Sequence, residues 1–389
     1  MNLEAIQSAL REAGLDAWLF YDHHHRDPLA GAILGLPETG LVSRRWYYAI
    51  PAEGEPRKLV HRIEAGKLDA LPGSKGVYSS WQELEQGLRA MLSLWGTIAM
   101  QYSPRNAIMY ISMVDAGTVE LLRALGKTIV SSADLVSRFQ SVLSREQVQS
   151  HYEAQRALDE IVAEGFLTIG NRARSVSPAT EHEMMVWFQE AMRRAGLTTD
   201  HGPNVSANEN SSDSHYEPNA EDSRRIRTGD FVLIDIWARR DRPGTCWYDI
   251  TWTGVVGRAP TDRERTIFAI VRDARNAAIE AVRDAFTNNR PIAGFEADDA
   301  ARGVIERAGY GQYFTHRTGH NIGTELHGSG THLDNLETHD ERQILPSTCF
   351  SVEPGIYLPE FGVRSEVNMI TSAFEAKVTG KVQEELLRI

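Results

Sequence analysis

The chain has 389 residues, of which 42% are hydrophobic and 24% charged, and a formal net charge of −12. That length exceeds one ordinary core and predicts two domains, and the composition excludes disorder as the main state. The acidic balance, with no Lys/Arg block, argues against a nucleic-acid partner, and no apolar run approaches the roughly 18 residues of a membrane span.

The opening MNLEAIQSALREAG mixes Glu4, Arg11 and Glu12 into an amphipathic pattern and does not read as a signal peptide. After this first helix LDAWLFYD reads as a strand, and RRWYYAIPA with PRKLVHRIE as a hairpin joined through Gly54 and Pro56. Ser80 and Glu83 have capping-box spacing before the helix WQELEQGLRAMLSL, and GTIAMQYS and GKTIVSS supply two more strands. Residues 1–143 are thus predicted to form an α/β domain. A boundary near Ser144 opens a second domain, 144–389, whose long helices start at further capping boxes: Ser144/Gln147, Thr180/Glu183 and Thr261/Glu264. A fourth helix ends at Gly309. Short strands between these helices, without a βαβ rhythm, predict an α+β architecture. The Asn/Ser-rich stretch 202–218 reads as turn chemistry.

Acids sit where apolar strands leave little room for them. FVLIDIWARR carries Asp235, TCWYDITWTG carries Asp249, CFSVEPGIYL carries Glu353 and GVRSEVNMIT carries Glu366. A buried carboxylate costs several kcal/mol unless paired or metal-bound. Spacings of fourteen and thirteen residues fit two hairpins, each presenting facing acids. With His320, in the glycine-rich HRTGHNIGTELHGSGTHLDN, they make an oxygen-and-nitrogen set suited to two divalent cations.

These residues resemble the metallopeptidase family of methionine aminopeptidase, aminopeptidase P, prolidase and creatinase, M24. The resemblance implies an N-terminal creatinase-like α/β domain and a C-terminal pita-bread domain with a pseudo-two-fold antiparallel sheet. It implies that Asp249 and Glu366 bridge two metals, that Asp235 chelates one, and that His320 and Glu353 hold the other. Two cations acidify a bridging water and polarise the scissile carbonyl, with Glu353 as proton acceptor. Oxygen-rich ligation favours Mn²⁺ over Co²⁺ or Zn²⁺.

By the same resemblance His327 bonds the substrate carbonyl or oxyanion, His316 is a further pocket histidine, and His215 faces the leaving amide. Arg364, in GVRSE, orients the neighbouring ligand and matches aminopeptidase P and prolidase rather than methionine aminopeptidase. Two positions depart from the family pattern: His327 is followed by Gly328, Ser329 and Gly330 (HGSG), and Glu366 by Val367. In the 329–343 loop, His332, His339 and Arg342 are candidates to read a substrate carboxylate, although both histidines otherwise read as solvated loop residues.

The run His23–His25 is not expected to bind metal, because adjacent side chains splay and no acid completes a set. Cys246 and Cys349 have no CxxC spacing and read as buried thiols of a reducing, cytoplasmic compartment. The expectation is a cytoplasmic, homodimeric exopeptidase for small peptides with proline at P1′, without nucleic-acid or membrane partners. A creatinase-like hydrolase of a non-peptide C–N bond, or a non-catalytic binding protein on the same fold, is the alternative.

Overall fold

A computed structural model describes residues 1–37 and 39–389, and the chain divides into two units, Met1–Gln140 and Ser141–Ile389. In the first unit, strands β1 (Ala17–Asp22), β2 (Trp46–Pro51), β3 (Arg57–His61), β4 (Ser74–Tyr78), β5 (Thr97–Met100) and β6 (Thr128–Ser131) form one sheet in the order β4-β3-β2-β1-β5-β6. Only β2 runs against its neighbours, and the remaining pairs are parallel. The β2–β3 hairpin turns at Gly54, whose φ of 96° an L side chain rarely adopts.

Alternation along β1 and β2 sends side chains to two cores. Trp18, Phe20, Tyr48 and Ile50 pack on one face with residues of α1 (Leu3–Glu12), α2 (Pro28–Leu34) and α5 (Ala133–Gln140). Leu19, Tyr21 and Tyr47 pack on the other with α3 (Trp81–Met91) and α4 (Ala116–Ala124). A sheet covered on both faces is what a mostly parallel topology requires. The capping box at Ser80 is formed in full. Helices α2, α4 and α5 do not stand out in the sequence, since seven to nine residues give too little period to read.

Asp27 caps α2, accepting from the Ala30 amide at 2.9 Å, yet its other carboxylate oxygen is buried without a partner. Burial pushes this carboxyl up to about 7. A raised carboxyl contributes its full stability below the unfolded value near 4 and loses it as pH rises through 7. Asp27→Asn keeps the cap and removes that loss. The variant should melt with the parent below pH ~4 and several degrees above it at pH 8, a gain on the order of 3 kcal/mol. Thermal melts at the two pH values check this.

The second unit has two similarly built halves. Helices α6 (Arg145–Ala173) and α7 (Glu181–Arg194) back strands β7 (Leu197–Thr198), β8 (Asn204–Ala207), β9 (Phe231–Arg240) and β10 (Tyr248–Val255). Helices α8 (Asp262–Thr287) and α9 (Gly294–Arg307) back β11 (Asn321–Ile322), β12 (Cys349–Val352), β13 (Gly355–Leu358), β14 (Phe361–Arg364), β15 (Val367–Thr371) and β16 (Ala376–Thr379). The short β17 (Leu387–Arg388) returns to pair with β10. The capping boxes at Ser144, Thr180 and Thr261 all form.

This is the α+β arrangement the sequence predicts, with one departure. Part of the stretch read as turn chemistry is strand β8, whose Val205 and Ala207 enter the core while it pairs with β9. Among the described residues no helix is long and apolar enough to cross a membrane.

Candidate metal centre

Strands β9 and β10 pair Asp235 with Thr251 and Trp237 with Asp249. The two aspartates are therefore diagonal neighbours rather than a facing pair, and their carboxylates leave the same face of the sheet. The two glutamates depart further from expectation. Neither lies within a strand. Val352 pairs with Val367, and Gly355 pairs with Arg364, so the second hairpin keeps one register across a two-residue gap. Glu353 and Glu366 stand opposite each other in that gap.

Backbone groups freed by the gap find partners elsewhere. The Glu353 amide donates to the Thr318 carbonyl at 2.7 Å, and the Glu366 amide donates to Thr251 on β10 at 3.3 Å. The second bond ties one half of the unit to the other at the carboxylates themselves.

His320 completes the group. Its Nε2 lies 3.5 Å from both Asp249 Oδ2 and Glu353 Oε1, and donor atoms of Asp249, His320 and Glu366 all fall within 4.8 Å of one another. Burial holds the His320 imidazole well below its ordinary value, so the ring is neutral. Its Nδ1 faces the Asn321 carbonyl at 3.3 Å, which leaves the Nε2 lone pair for the carboxylate cluster.

Burial raises the carboxyls of Asp249 and Glu366 well above their usual range, and like charge adds to it, from Asp235 and Glu353 on Asp249 and from Asp249 and Glu353 on Glu366. Burial lifts Glu353 to about 7. Asp249 Oδ1 and Glu366 Oε1 have no hydrogen-bond donor at all. Buried acceptors without donors, in an oxygen-rich set with one neutral imidazole, fit hard divalent cations.

One guanidinium threads the cluster. Arg364 donates from Nη2 to Asp235 Oδ2 at 2.5 Å, from Nε to Thr251 Oγ1 at 3.0 Å and from Nη1 to the Tyr357 hydroxyl at 2.8 Å. Thr251 in turn donates to Glu366 Oε2 at 2.8 Å. The Tyr357 hydroxyl also lies 2.6 Å from His316 Nε2, while His316 Nδ1 faces the Arg317 carbonyl at 2.7 Å. Both ring nitrogens of His316 are engaged, and burial lowers its pKa to about 3. Its position is that of a neutral wall group, one bond removed from Arg364.

A cavity of about 400 Å³ opens onto this cluster. Asp235, Asp249, His320, Glu353 and Arg364 form its floor, with His215, His316 and His327 on its walls. The His327 ring lies 4.3 Å from that of His320, and the exposed His215 is carried by the loop after β8. Buried Glu181 anchors that loop, accepting from the Ala207 amide, Asn210 and the Tyr216 hydroxyl.

The 329–343 loop behaves differently from its reading as a solvated segment. His332 is fully buried, with Nδ1 accepting from the Asn321 amide. Arg342 is buried in a two-point pair with Asp340, so neither side chain lines the cavity. His339 alone of the three is exposed. His24 and His25 are likewise exposed, and the only metal-suited cluster among the described residues is the one at Asp249.

Several groups of the site are not legible in the sequence. Tyr357 and Thr251, which hold Arg364 from behind, carry no signal beyond their neighbours. Asn204 does carry one in retrospect, a lone amide ahead of Val205. It is buried opposite Asp235, lines the cavity, and has both amide atoms unpartnered.

The sequence profile of metallopeptidase family M24 matches residues 149–373. The chain belongs to that family. The M24 chain is 30% identical to the Xaa-Pro dipeptidase of Pyrococcus furiosus over 65% of its own length and 67% of the relative's. With the Xaa-Pro dipeptidase of Pyrococcus horikoshii it shares 33% identity, over 42% of its own length and 43% of the relative's, so that match spans less than half of each protein. Among solved structures, dipeptidase PepE from Mycobacterium ulcerans superposes with a TM-score of 0.69 at 24% identity, covering 99% of this chain and 96% of that one. The fold is therefore that of the pita-bread peptidases.

Gly319 sets the distance between His320 and β12. A Cβ there would overlap the Ser351 carbonyl, and the Ser351 side chain holds the His320 amide at 2.9 Å. Gly319→Ala should cost roughly 1–3 kcal/mol through forced backbone separation. Displacing His320 should lower turnover more than tenfold. Chemical denaturation and initial rates on the same preparation check both halves of this expectation.

Proposed function

We propose that this M24 chain is a metal-dependent exopeptidase that hydrolyses Xaa-Pro bonds, with dipeptides as its first substrates. The carrying observation is the convergence of Asp235, Asp249, His320, Glu353 and Glu366, with two buried carboxylate oxygens left without donors. Asp249 and Glu366 would be shared between two divalent cations, Asp235 would complete one site, and His320 with Glu353 the other. Bound there, the cations would supply Lewis acidity and lower the pKa of a water, with Mn²⁺ favoured by the hard oxygen set.

The chain's own groups do the rest. Glu353, on the cavity floor, accepts the proton released in attack. His327 and His215, on the walls, bond the carbonyl and the leaving amide. Arg364 fixes Asp235 and, through Thr251, Glu366. The unpartnered Asn204 amide is available to a polar end of the peptide. Two buried free thiols support a reducing, cytoplasmic setting.

Metal analysis of the purified protein, run beside Xaa-Pro dipeptides, Xaa-Pro-Yaa tripeptides and creatine, tests the reading. It expects divalent metal in the preparation and Xaa-Pro dipeptide hydrolysis that stops on chelation. Cleavage of tripeptides alone would move the chain to the aminopeptidase P class. Full activity after exhaustive chelation, or turnover of creatine alone, would defeat the proposal.

A further inference from the structure

The larger of the two described cavities lies in the first unit and shares no lining residue with the one at the carboxylate cluster. It encloses about 620 Å³, within the range of roughly 300–1,000 Å³ typical of small-molecule sites. Its position follows from the topology. Tyr21 and His23 mark the end of β1, His61 the end of β3, and Tyr78 the end of β4. These strands are parallel, so the cavity sits outside their carboxyl ends, where open α/β sheets bind ligands. Two helices begin at its wall: Ser80 caps α3 and Asp115 caps α4, and both helices direct partial positive charge toward it.

The side chains lining this crevice are cationic in a chain that is acidic overall. Arg26, Arg44 and Arg45 all face it, and none has a carboxylate within ion-pairing distance among the described residues. In the other cavity, by contrast, Arg364 is paired with Asp235. Arg44 reaches only the Ser43 carbonyl and hydroxyl, at 3.0 and 3.2 Å. The acid in the lining, Asp115, is occupied in accepting from the Thr118 amide and hydroxyl, each at 2.9 Å. Glu64, near the rim, accepts from the Ser43 amide and hydroxyl instead of an arginine. His61 donates from Nε2 to the Ser79 carbonyl, its Nδ1 being an acceptor for the Ile63 amide.

Burial, His24 and the neighbouring arginines hold the His23 imidazole below its ordinary value, as expected where cations crowd without a counter-ion. Trp81, the first residue of α3, lines the cavity with 64% of its surface exposed and offers a flat apolar rim. Guanidiniums suit planar, two-point contact with carboxylate or phosphate oxygens.

We propose that this crevice binds a small molecule bearing two or more oxyanion groups, phosphate or carboxylate, held by Arg26, Arg44 and Arg45. The site is separate from the carboxylate cluster in both residues and charge sign, and it does not depend on the reading of the peptidase reaction. A ligand there would neutralise the three guanidiniums and fasten the β1–α2 and β2 entry segments to the starts of α3 and α4.

Isothermal titration calorimetry of the full-length protein at fixed ionic strength tests this, with sodium pyrophosphate and sodium citrate as separate probes. One saturable site per chain is expected for at least one probe. Its affinity should fall by about tenfold or more in the double variant Arg44→Ala/Arg45→Ala. The exposed Arg26→Gln provides a second, milder variant should the double one fold poorly. Pyrophosphate binding alone identifies a phosphate ligand, and citrate binding alone a polycarboxylate. Peptide hydrolysis without added anion should be unchanged in both variants. Absence of binding by either probe overturns the proposal, as does binding undiminished in the variants. Loss of anion-free hydrolysis in the variants also overturns it, since the arginines would then serve a catalytic site.

Discussion

Asp249→Asn should abolish peptide hydrolysis while leaving a folded protein. The carboxylate is buried between His320 and Glu366, one of its oxygens has no donor, and its own backbone is held by both atoms of the Asn368 amide. An asparagine of the same shape preserves those backbone bonds but removes the charge a cation requires. Turnover should fall roughly a thousandfold or more, about 4 kcal/mol of barrier, with loss of bound metal. The metal-free variant should also melt above the metal-free parent, because one of several like charges crowded in the site has gone. Metal content, initial rates and melts after chelation measure the three effects together. Parent-like metal content with parent-like turnover would remove Asp249 from the site.

Arg364→Leu should be the costliest single change to stability. The guanidinium is buried and touches Asp235, Thr251 and Tyr357, and its charge offsets Glu353 more than that of Arg317 does. Removing one partner of a buried pair costs roughly 3–5 kcal/mol, because the other charge stays behind unsolvated. Metal affinity should fall by about 10- to 100-fold as Asp235 and Thr251 lose their orientation. In the double variant Asp235→Asn/Arg364→Leu much of the stability should return and the activity should not. Urea denaturation of the four proteins of this cycle isolates the pair's coupling. Simple additivity of the two single changes would mean that the ion pair carries no coupling.

What was legible in the sequence was local. Capping boxes are read three residues apart, and all four form because the side chain and the amide it satisfies are close along the chain. Isolated acids in apolar strands are equally visible, since burial follows from the surrounding residues. The gap that lifts Glu353 and Glu366 out of their strands is not visible, because it depends on Thr318 and Thr251 arriving from distant elements to take the freed amides. For the same reason His332 misreads as a solvated residue: the buried Asn321 amide that fixes it is a tertiary neighbour. Cys349 and His151, 4.0 Å apart and almost two hundred positions separated, belong to the same class of hidden contact. The cationic crevice in the first unit was invisible too, as its arginines come from ordinary-looking strand ends.

The interrupted ribbon between β12 and β15 bears on how freely such a chain can diverge. Its two glutamates are placed by main-chain bonds to Thr318 and Thr251 carbonyls, groups that every non-proline or proline residue carries alike. Substitutions in the flanking strands can therefore change the core's packing without moving the carboxylates, so long as the ribbon keeps its count. Length is the protected quantity. Adding or deleting one residue in the turn at Pro359–Glu360 would shift one edge past the other, and the two acids would no longer meet across the opening.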